Sequence, residues 1–372
     1  MTLPLSSDDL GMFFAAGHAA IADRVRAAAA AVERAESAAA GEGELSRARA
    51  VTRAMAAAGL FELLLPAGAE VGQGGVAIDG PAISRPRAAT RGGGVVDPRD
   101  EPRGGAGGLD RARGDGQVPS PIDVRALCLV REALGYVSPL ADAIFAVQGL
   151  GSVPLAFAGS AAQRAHVPAY RRGERIGAFA LTEPEAGSDV ASLRTTAQRS
   201  PDGSGWLLDG DKTFISNAGI ATHYVVFANA EPAAGRNGIT AFLVAADAPG
   251  LTIVPIPMGA AHPVGRLALR AVRVSDEARI GLAGAGFRLA MQTLDTFRVT
   301  VGAAAVGMAR RALDAAAAHV RTRIQFGKPL AEQQLVQATL ADMAVDLDAA
   351  RLLVLRAAHA KDHGSSRVGV DA

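Results

Sequence analysis

The chain has 372 residues, 49% of them hydrophobic and 20% charged, so it is long enough for two or three domains and too apolar to be mainly disordered. With 38 basic and 37 acidic side chains the net charge is +1, and no global field draws it to nucleic acid or an anionic membrane. A single cysteine, Cys128, excludes an internal disulfide framework, and its apolar surroundings read as a buried helical thiol. The first ten residues lack the basic and apolar regions of a signal peptide, and no uninterrupted apolar stretch is long enough to span a bilayer. A soluble, cytoplasmic protein is the expectation.

In chain order, residues 9–64 are rich in Ala, Glu, Arg and Leu and predict two helices separated near Gly41 and Gly43. The second is expected to end in the apolar run Leu60–Leu65, before Pro66. From Gly68 to Pro121 the character changes to Gly, Arg and Pro without helical or strand period, and residues 70–121 are expected to be disordered. Such a stretch suits an out-of-frame segment or a mobile insertion. Its Arg85-Pro-Arg87 run has no interleaved aromatics and reads as a solvated linker, with no nucleic-acid partner. Helix resumes from about Asp123 to Phe157.

Residues 176–274 carry strand signals. Trp206–Ser216 predicts two short strands around an Asp209-Gly210 turn of type I′ hairpin chemistry. Further strands follow at Tyr224–Ala228, Ile239–Val244, Leu251–Val254 and Ala271–Val274, a spacing that suits an antiparallel barrel or sandwich. Two long helices, Phe287–Arg321 and about Ala331–Asp362, then flank the interruption Arg323-Ile-Gln-Phe-Gly-Lys-Pro-Leu330. The fold class expected is α+β. Its boundaries are a helical domain over 1–175, a β domain over 176–282 and a partial helical domain over 283–372.

Common catalytic and metal-binding signatures are missing, and the seven histidines are scattered, with His223 read as a strand residue. The informative stretch is Phe179-Ala-Leu-Thr-Glu-Pro-Glu-Ala-Gly-Ser-Asp-Val190. An apolar strand ends at Thr182 in a Pro-containing turn, and Gly187 and Ser188 then offer N–H groups and a hydroxyl where a ligand can approach. Downstream, Lys212-Thr-Phe-Ile-Ser-Asn217 spaces Phe214 and Ser216 by two on a strand. An aromatic wall with hydroxyl and amide donors suits a planar heteroaromatic ring.

Leu181-Thr-Glu-Pro-Glu-Ala-Gly-Ser-Asp189 followed by Trp206…Gly210-Asp-Lys-Thr-Phe-Ile-Ser-Asn217 closely resembles the middle domain of the acyl-CoA dehydrogenases. Arg323…Phe326-Gly-Lys-Pro-Leu-Ala-Glu-Gln-Gln334 resembles the start of that family's C-terminal domain, and Gly286-Phe-Arg…Leu294-Asp-Thr-Phe-Arg298 its substrate-facing helix. The resemblance implies an N-terminal helical domain, a central antiparallel β-barrel domain and a C-terminal helical bundle. It further implies FAD as cofactor, an acyl-CoA substrate oxidised between its α and β carbons, an electron-transfer flavoprotein as acceptor, and a homotetramer.

By the same resemblance Phe179, Leu181, Thr182, Gly187, Ser188, Phe214, Ile215 and Ser216 line the flavin, with Ser188 also beside the thioester and Ser216 near flavin N5. Arg323, Gln325, Phe326 and Gln334 would reach the FAD of a neighbouring subunit. Asp295 and Arg298 would meet the CoA moiety; read from the residues alone they are a surface ion pair one helical turn apart. Two departures stand out. Residues 70–121 match no part of the family, and the chain stops at Ala372, where the family continues with two more bundle helices. The carboxylate base of most relatives is carried there. A minority carry it just before the Arg matched by Arg298, where this chain has Phe297. No catalytic base is therefore assigned, and slow flavin reduction is expected. Three readings compete: an FAD-dependent acyl-CoA dehydrogenase, a catalytically impaired relative, and a related acyl-CoA oxidase or flavin monooxygenase.

Overall fold

The computed structural model describes residues 3–65 and 122–365. The unusual 70–121 segment and its Arg85–Arg91 run lie outside the described residues. The N-terminal part contains α1 (Ser6–Asp9), α2 (Gly17–Ala38) and α3 (Glu44–Ala57). The run Leu60–Leu64 is not the end of α3: Gly59, at φ 67°, breaks the helix and the apolar residues continue as a short 3₁₀ segment. Next come α4 (Val124–Val137), α5 (Pro139–Ala158), α6 (Ala161–Arg164) and α7 (Val167–Arg171). Asp123 caps α4 by accepting the Ala126 N–H at 3.0 Å, and Ser138 caps α5 ahead of Pro139.

The β region comprises β1 (Gly177–Ala180), β2 (Thr196–Arg199), β3 (Gly205–Ser216), β4 (His223–Asn229), β5 (Ile239–Ala245), β6 (Leu251–Pro255), β7 (Val264–Ser275) and β8 (Arg279–Ile280). These strands pair in the order β6-β7-β3-β2-β4-β5-β8. Pairing is mainly antiparallel, with β1 and β2 each meeting β4 in parallel. Two long helices follow, α8 (Gly286–Thr322) and α9 (Gln334–Asp362), joined through the small hairpin β9 (Ile324–Gln325) and β10 (Lys328–Pro329).

Asp209 and Gly210 do not form the expected hairpin turn. Both lie inside the single strand β3, where pairing with β7 shifts register between Leu208 and Gly210. Asp209 accepts the Ala271 N–H across this irregularity at 2.8 Å, so the dipeptide that favours a tight turn here shapes a bulge.

Helix α5 is long and apolar enough to cross a membrane, yet 72% of its apolar window is buried inside the protein. Its apolarity is that of a core helix. A Cβ on Gly151 would lie 2.5 Å from the Gly177 carbonyl carbon, so α5 runs against the backbone of β1. Gln148 on α5 accepts the Gly177 N–H at 2.8 Å and donates to the carbonyls of Tyr170 and Arg175. The helical layer thereby fixes the start of β1 and aims the segment that follows it.

Helices α4 and α8 also meet backbone to backbone. A Cβ on Gly307 would lie 2.0 Å from the Glu132 carbonyl oxygen, and one on Gly135 would lie 2.4 Å from that of Ala304. Beside this contact Arg131 makes two 2.8 Å bonds to Asp142 and a third, at 3.0 Å, to Thr300. Cys128 is buried, and burial pushes its thiol far above the ordinary value.

Candidate active site

Two segments build the site: the turn after β1 and the last residues of β3. Phe179 is half-buried on β1, its ring 4.8 Å from that of Phe227. Leu181 is buried, and its carbonyl accepts from Lys212 Nζ at 3.2 Å. Thr182 is half-buried and its carbonyl accepts the Thr213 N–H at 2.9 Å, which joins the two segments directly. Glu183 and Ala186 close the turn with reciprocal backbone bonds of 3.0 and 3.2 Å. Beyond it Gly187 and Ser188 are exposed, and a Cβ on Gly187 would meet nothing within 4 Å.

A second register shift occurs on β3. Lys212 pairs with Leu267 but Ile215 with Gly265, so Thr213 and Phe214 together oppose Arg266 alone. Phe214 adopts φ 55°, a conformation uncommon for a bulky residue, and the residue is 67% exposed. A bulge that turns a side chain out of the sheet is a recurring device beside functional sites. Ile215 is buried, so its side chain packs into the core while only its backbone borders the open side. Ser216 is half-buried at the strand end, and Asn217, also at positive φ, donates to the Gly177 carbonyl at 3.0 Å.

Beneath this surface Lys212 Nζ lies 2.7 Å from Glu183 Oε1, both side chains buried. Glu183 also accepts the N–H groups of Arg194 and Thr195. Burial alone would raise the Glu183 carboxyl, but the Lys212 charge and these hydrogen bonds hold it below its ordinary value. Burial pulls Lys212 down to about 8, against the opposing pull of Glu183. Sequence reasoning missed this pair. Its one trace is compositional, since Lys212 is one of only three lysines in an Arg-rich chain.

Asp295 and Arg298 form a half-exposed ion pair of 3.1 Å on the N-terminal half of α8. Phe297 faces the other way. It is buried, and a Cβ on Gly149 would lie 2.4 Å from its ring. Arg323 follows α8, its N–H bonded to the His319 carbonyl, and Gln325 and Phe326 stand exposed on the β9–β10 hairpin. Phe326 is 94% exposed, and among the described residues the hydrogen bonds of this hairpin stay within residues 319–333. Gln334, at the start of α9, is likewise exposed. The structure thus brings together Phe179, Leu181, Thr182, Phe214, Ile215 and Ser216, and holds the 323–334 group on a separate outward face. Cys128 and His223 take the structural places expected of them: the first is buried in α4, the second opens β4.

Residues 178–272 match the model of the acyl-CoA dehydrogenase middle domain, and residues 284–372 that of the acyl-CoA dehydrogenase C-terminal domain. A probable acyl-CoA dehydrogenase, FadE25, of Mycobacterium tuberculosis is 41% identical over 251 residues, which cover 66% of this chain and 64% of the relative. The mitochondrial short-chain specific acyl-CoA dehydrogenase of Homo sapiens is 40% identical over 212 residues, or 56% of this chain and 51% of that protein. Among solved structures, butyryl-CoA dehydrogenase from Megasphaera elsdenii superimposes with a TM-score of 0.63 at 35% identity, covering 67% of this chain and 66% of that one. The chain spans a little under two thirds of the length of its FadE25 relatives. With the Leu181–Asp189 turn and the Lys212–Asn217 strand end inside the middle-domain match and the hairpin between α8 and α9 inside the C-terminal one, this chain belongs to the acyl-CoA dehydrogenase family.

Proposed function

We propose that the protein binds FAD and an acyl-CoA thioester and serves α,β-dehydrogenation of the acyl chain to the enoyl-CoA. The observation that carries this reading is the bulge that sets the Phe214 ring outside the sheet, next to the hydroxyl-bearing turn that Thr182 joins to β3. The residues fit a flat heteroaromatic ring. An exposed aromatic face, a half-buried Thr182 and Ser216, and open space over Gly187 are what stacking with edge-on hydrogen bonding requires.

In this reading Phe214 stacks on the isoalloxazine, Thr182 and Ser216 bond its edge, and Ser188 borders the thioester. When bound, FAD supplies the electron sink, and the protein supplies orientation and charge stabilisation. Asp295 and Arg298 meet the CoA moiety, where a guanidinium suits phosphate. Neither Glu183, committed to Lys212, nor Phe297, buried against α5, is the proton acceptor.

The exposed apolar residues Phe326 and Leu335 support a homo-oligomer in which Arg323, Gln325, Phe326 and Gln334 approach the FAD of an adjacent subunit. An electron-transfer flavoprotein is the proposed acceptor. The test is titration of the purified chain with FAD, then anaerobic mixing with short, medium and branched acyl-CoAs. FAD retention with a change in the visible flavin band supports the reading. A chain that retains no FAD, or holds FAD that responds to none of these thioesters, overturns it. One solved relative, the prolyl acyl carrier protein oxidase AnaB, is 30% identical with a TM-score of 0.60, so reoxidation by oxygen and by an artificial acceptor should be compared.

A further inference from the structure

Ser216 closes β3 opposite Val264 on β7. Two residues before Val264, in the 256–263 connection from β6, stands His262. That connection is closed by the Ile256 N–H, which donates to the Val264 carbonyl at 2.9 Å. The His262 Nε2 lies 2.7 Å from Ser216 Oγ. One hydrogen serves this contact. If Nε2 carries a lone pair, it accepts the Ser216 O–H and the serine keeps only lone pairs for its open side. If Nε2 carries a hydrogen, it donates to Ser216 and the serine's own hydrogen is free to turn outward.

We propose that His262 is a positioning residue for Ser216, which decides whether that hydroxyl offers a hydrogen or a lone pair to the ring seated on Phe214. The inference rests on the FAD reading above. An oxidised isoalloxazine N5 accepts a hydrogen bond and its reduced N5–H donates one. A protonated His262 therefore suits the oxidised ring, and a neutral His262 with its Nε2 lone pair on Ser216 suits the reduced ring.

The surroundings place the change on the acid side. Burial pulls His262 below the ordinary imidazole value, and the Glu44 carboxylate at the start of α3 pulls the other way. Of the cations on α3, Arg47, one turn from Glu44, is paired with Glu36 at 2.8 Å, and Arg49 donates to the Gly219 carbonyl at 3.2 Å.

The experiment is a titration of the full chain with oxidised and with chemically reduced FAD across about pH 5 to 7.5, the window around a histidine pKa. Parent, His262→Gln, Ser216→Ala and the double variant are compared. The parent should bind oxidised FAD about fivefold tighter at the acid end, the worth of one hydrogen bond, and reduced FAD should show the opposite trend. Both single variants should lose this pH response, and His262→Gln should add nothing once Ser216 is Ala.

A pH response that survives in either single variant, or additive effects in the double variant, overturns the proposal while leaving FAD binding intact. A parent that binds FAD at no pH overturns the functional reading and this inference together. Thermal melts accompany each titration, and His262→Asn replaces His262→Gln should the latter fail to fold.

Discussion

Lys212 Nζ lies 2.7 Å from Glu183 Oε1, with the lysine side chain wholly removed from solvent and the carboxylate nearly so. The bond ties the second half of β3 to the turn after β1, the two segments that form the open face of the site. Lys212→Met leaves a buried carboxylate with only backbone partners. It should destabilise the protein by about 3 to 5 kcal/mol, read from denaturant midpoints at neutral pH. Unchanged stability would mean that the pair is not formed.

The same carboxylate predicts an acid response. Glu183 is held below its ordinary value in the folded state, so its contribution is present above the unfolded carboxylate pKa and is lost as pH falls through the folded one. Stability against pH should therefore fall on the acid side, and Glu183→Gln should flatten that part of the curve. Equal acid slopes in parent and variant would refute the assignment.

Phe214 and Phe179 should separate ligand binding from folding. Phe214 is exposed, so Phe214→Ala should change stability by no more than about 0.5 kcal/mol while weakening FAD by roughly tenfold. Phe179 packs on Phe227, so Phe179→Ala should lower stability by about 2 kcal/mol and FAD affinity less. Thermal melts and FAD titrations of the two variants check this, and the reverse order would displace Phe214 from the ring.

The α4–α8 crossing has no room for a side chain. Gly307→Ala must push the Glu132 carbonyl away, and a loss of about 1 to 3 kcal/mol or more is expected. Chemical unfolding checks it; a neutral substitution would mean that the helices stand farther apart.

Self-association is expected from the outward faces of the hairpin and α9, where Phe326, Leu335, Val345 and Leu353 are exposed. Sedimentation at micromolar concentration should find oligomers, and Leu335→Lys should weaken them. A monodisperse monomer would contradict this.

Much of this fold is legible in the sequence. Helices α2, α8 and α9 follow from Ala-rich runs without proline, and Asp123 marks its helix start because a carboxylate there can take a free N–H. The turn after β1 stands out because Gly187 and Ser188 follow an apolar strand. Other features depend on partners far along the chain. Asp209-Gly210 carries the same chemistry in a tight turn and in a bulge, and only β7 decides between them. The exposure of Phe214 depends on how residues 212–215 count against 265–267, which no local period reveals. His262 is one of seven scattered histidines, and nothing near it in sequence points to Ser216.

The bulge at Thr213–Phe214 makes residue parity a determinant of the site. A strand whose side chains alternate sends every second residue to the same face, and one extra residue exchanges the faces from that point on. Removing Thr213 would let Lys212 through Ile215 pair with β7 without interruption. Phe214 would then become an ordinary strand residue, its backbone no longer held at φ 55° and its ring re-aimed. A single-codon deletion, with every other aromatic and hydroxyl residue unchanged, would thus alter the stacking surface and remove the N–H that joins β3 to the Thr182 carbonyl.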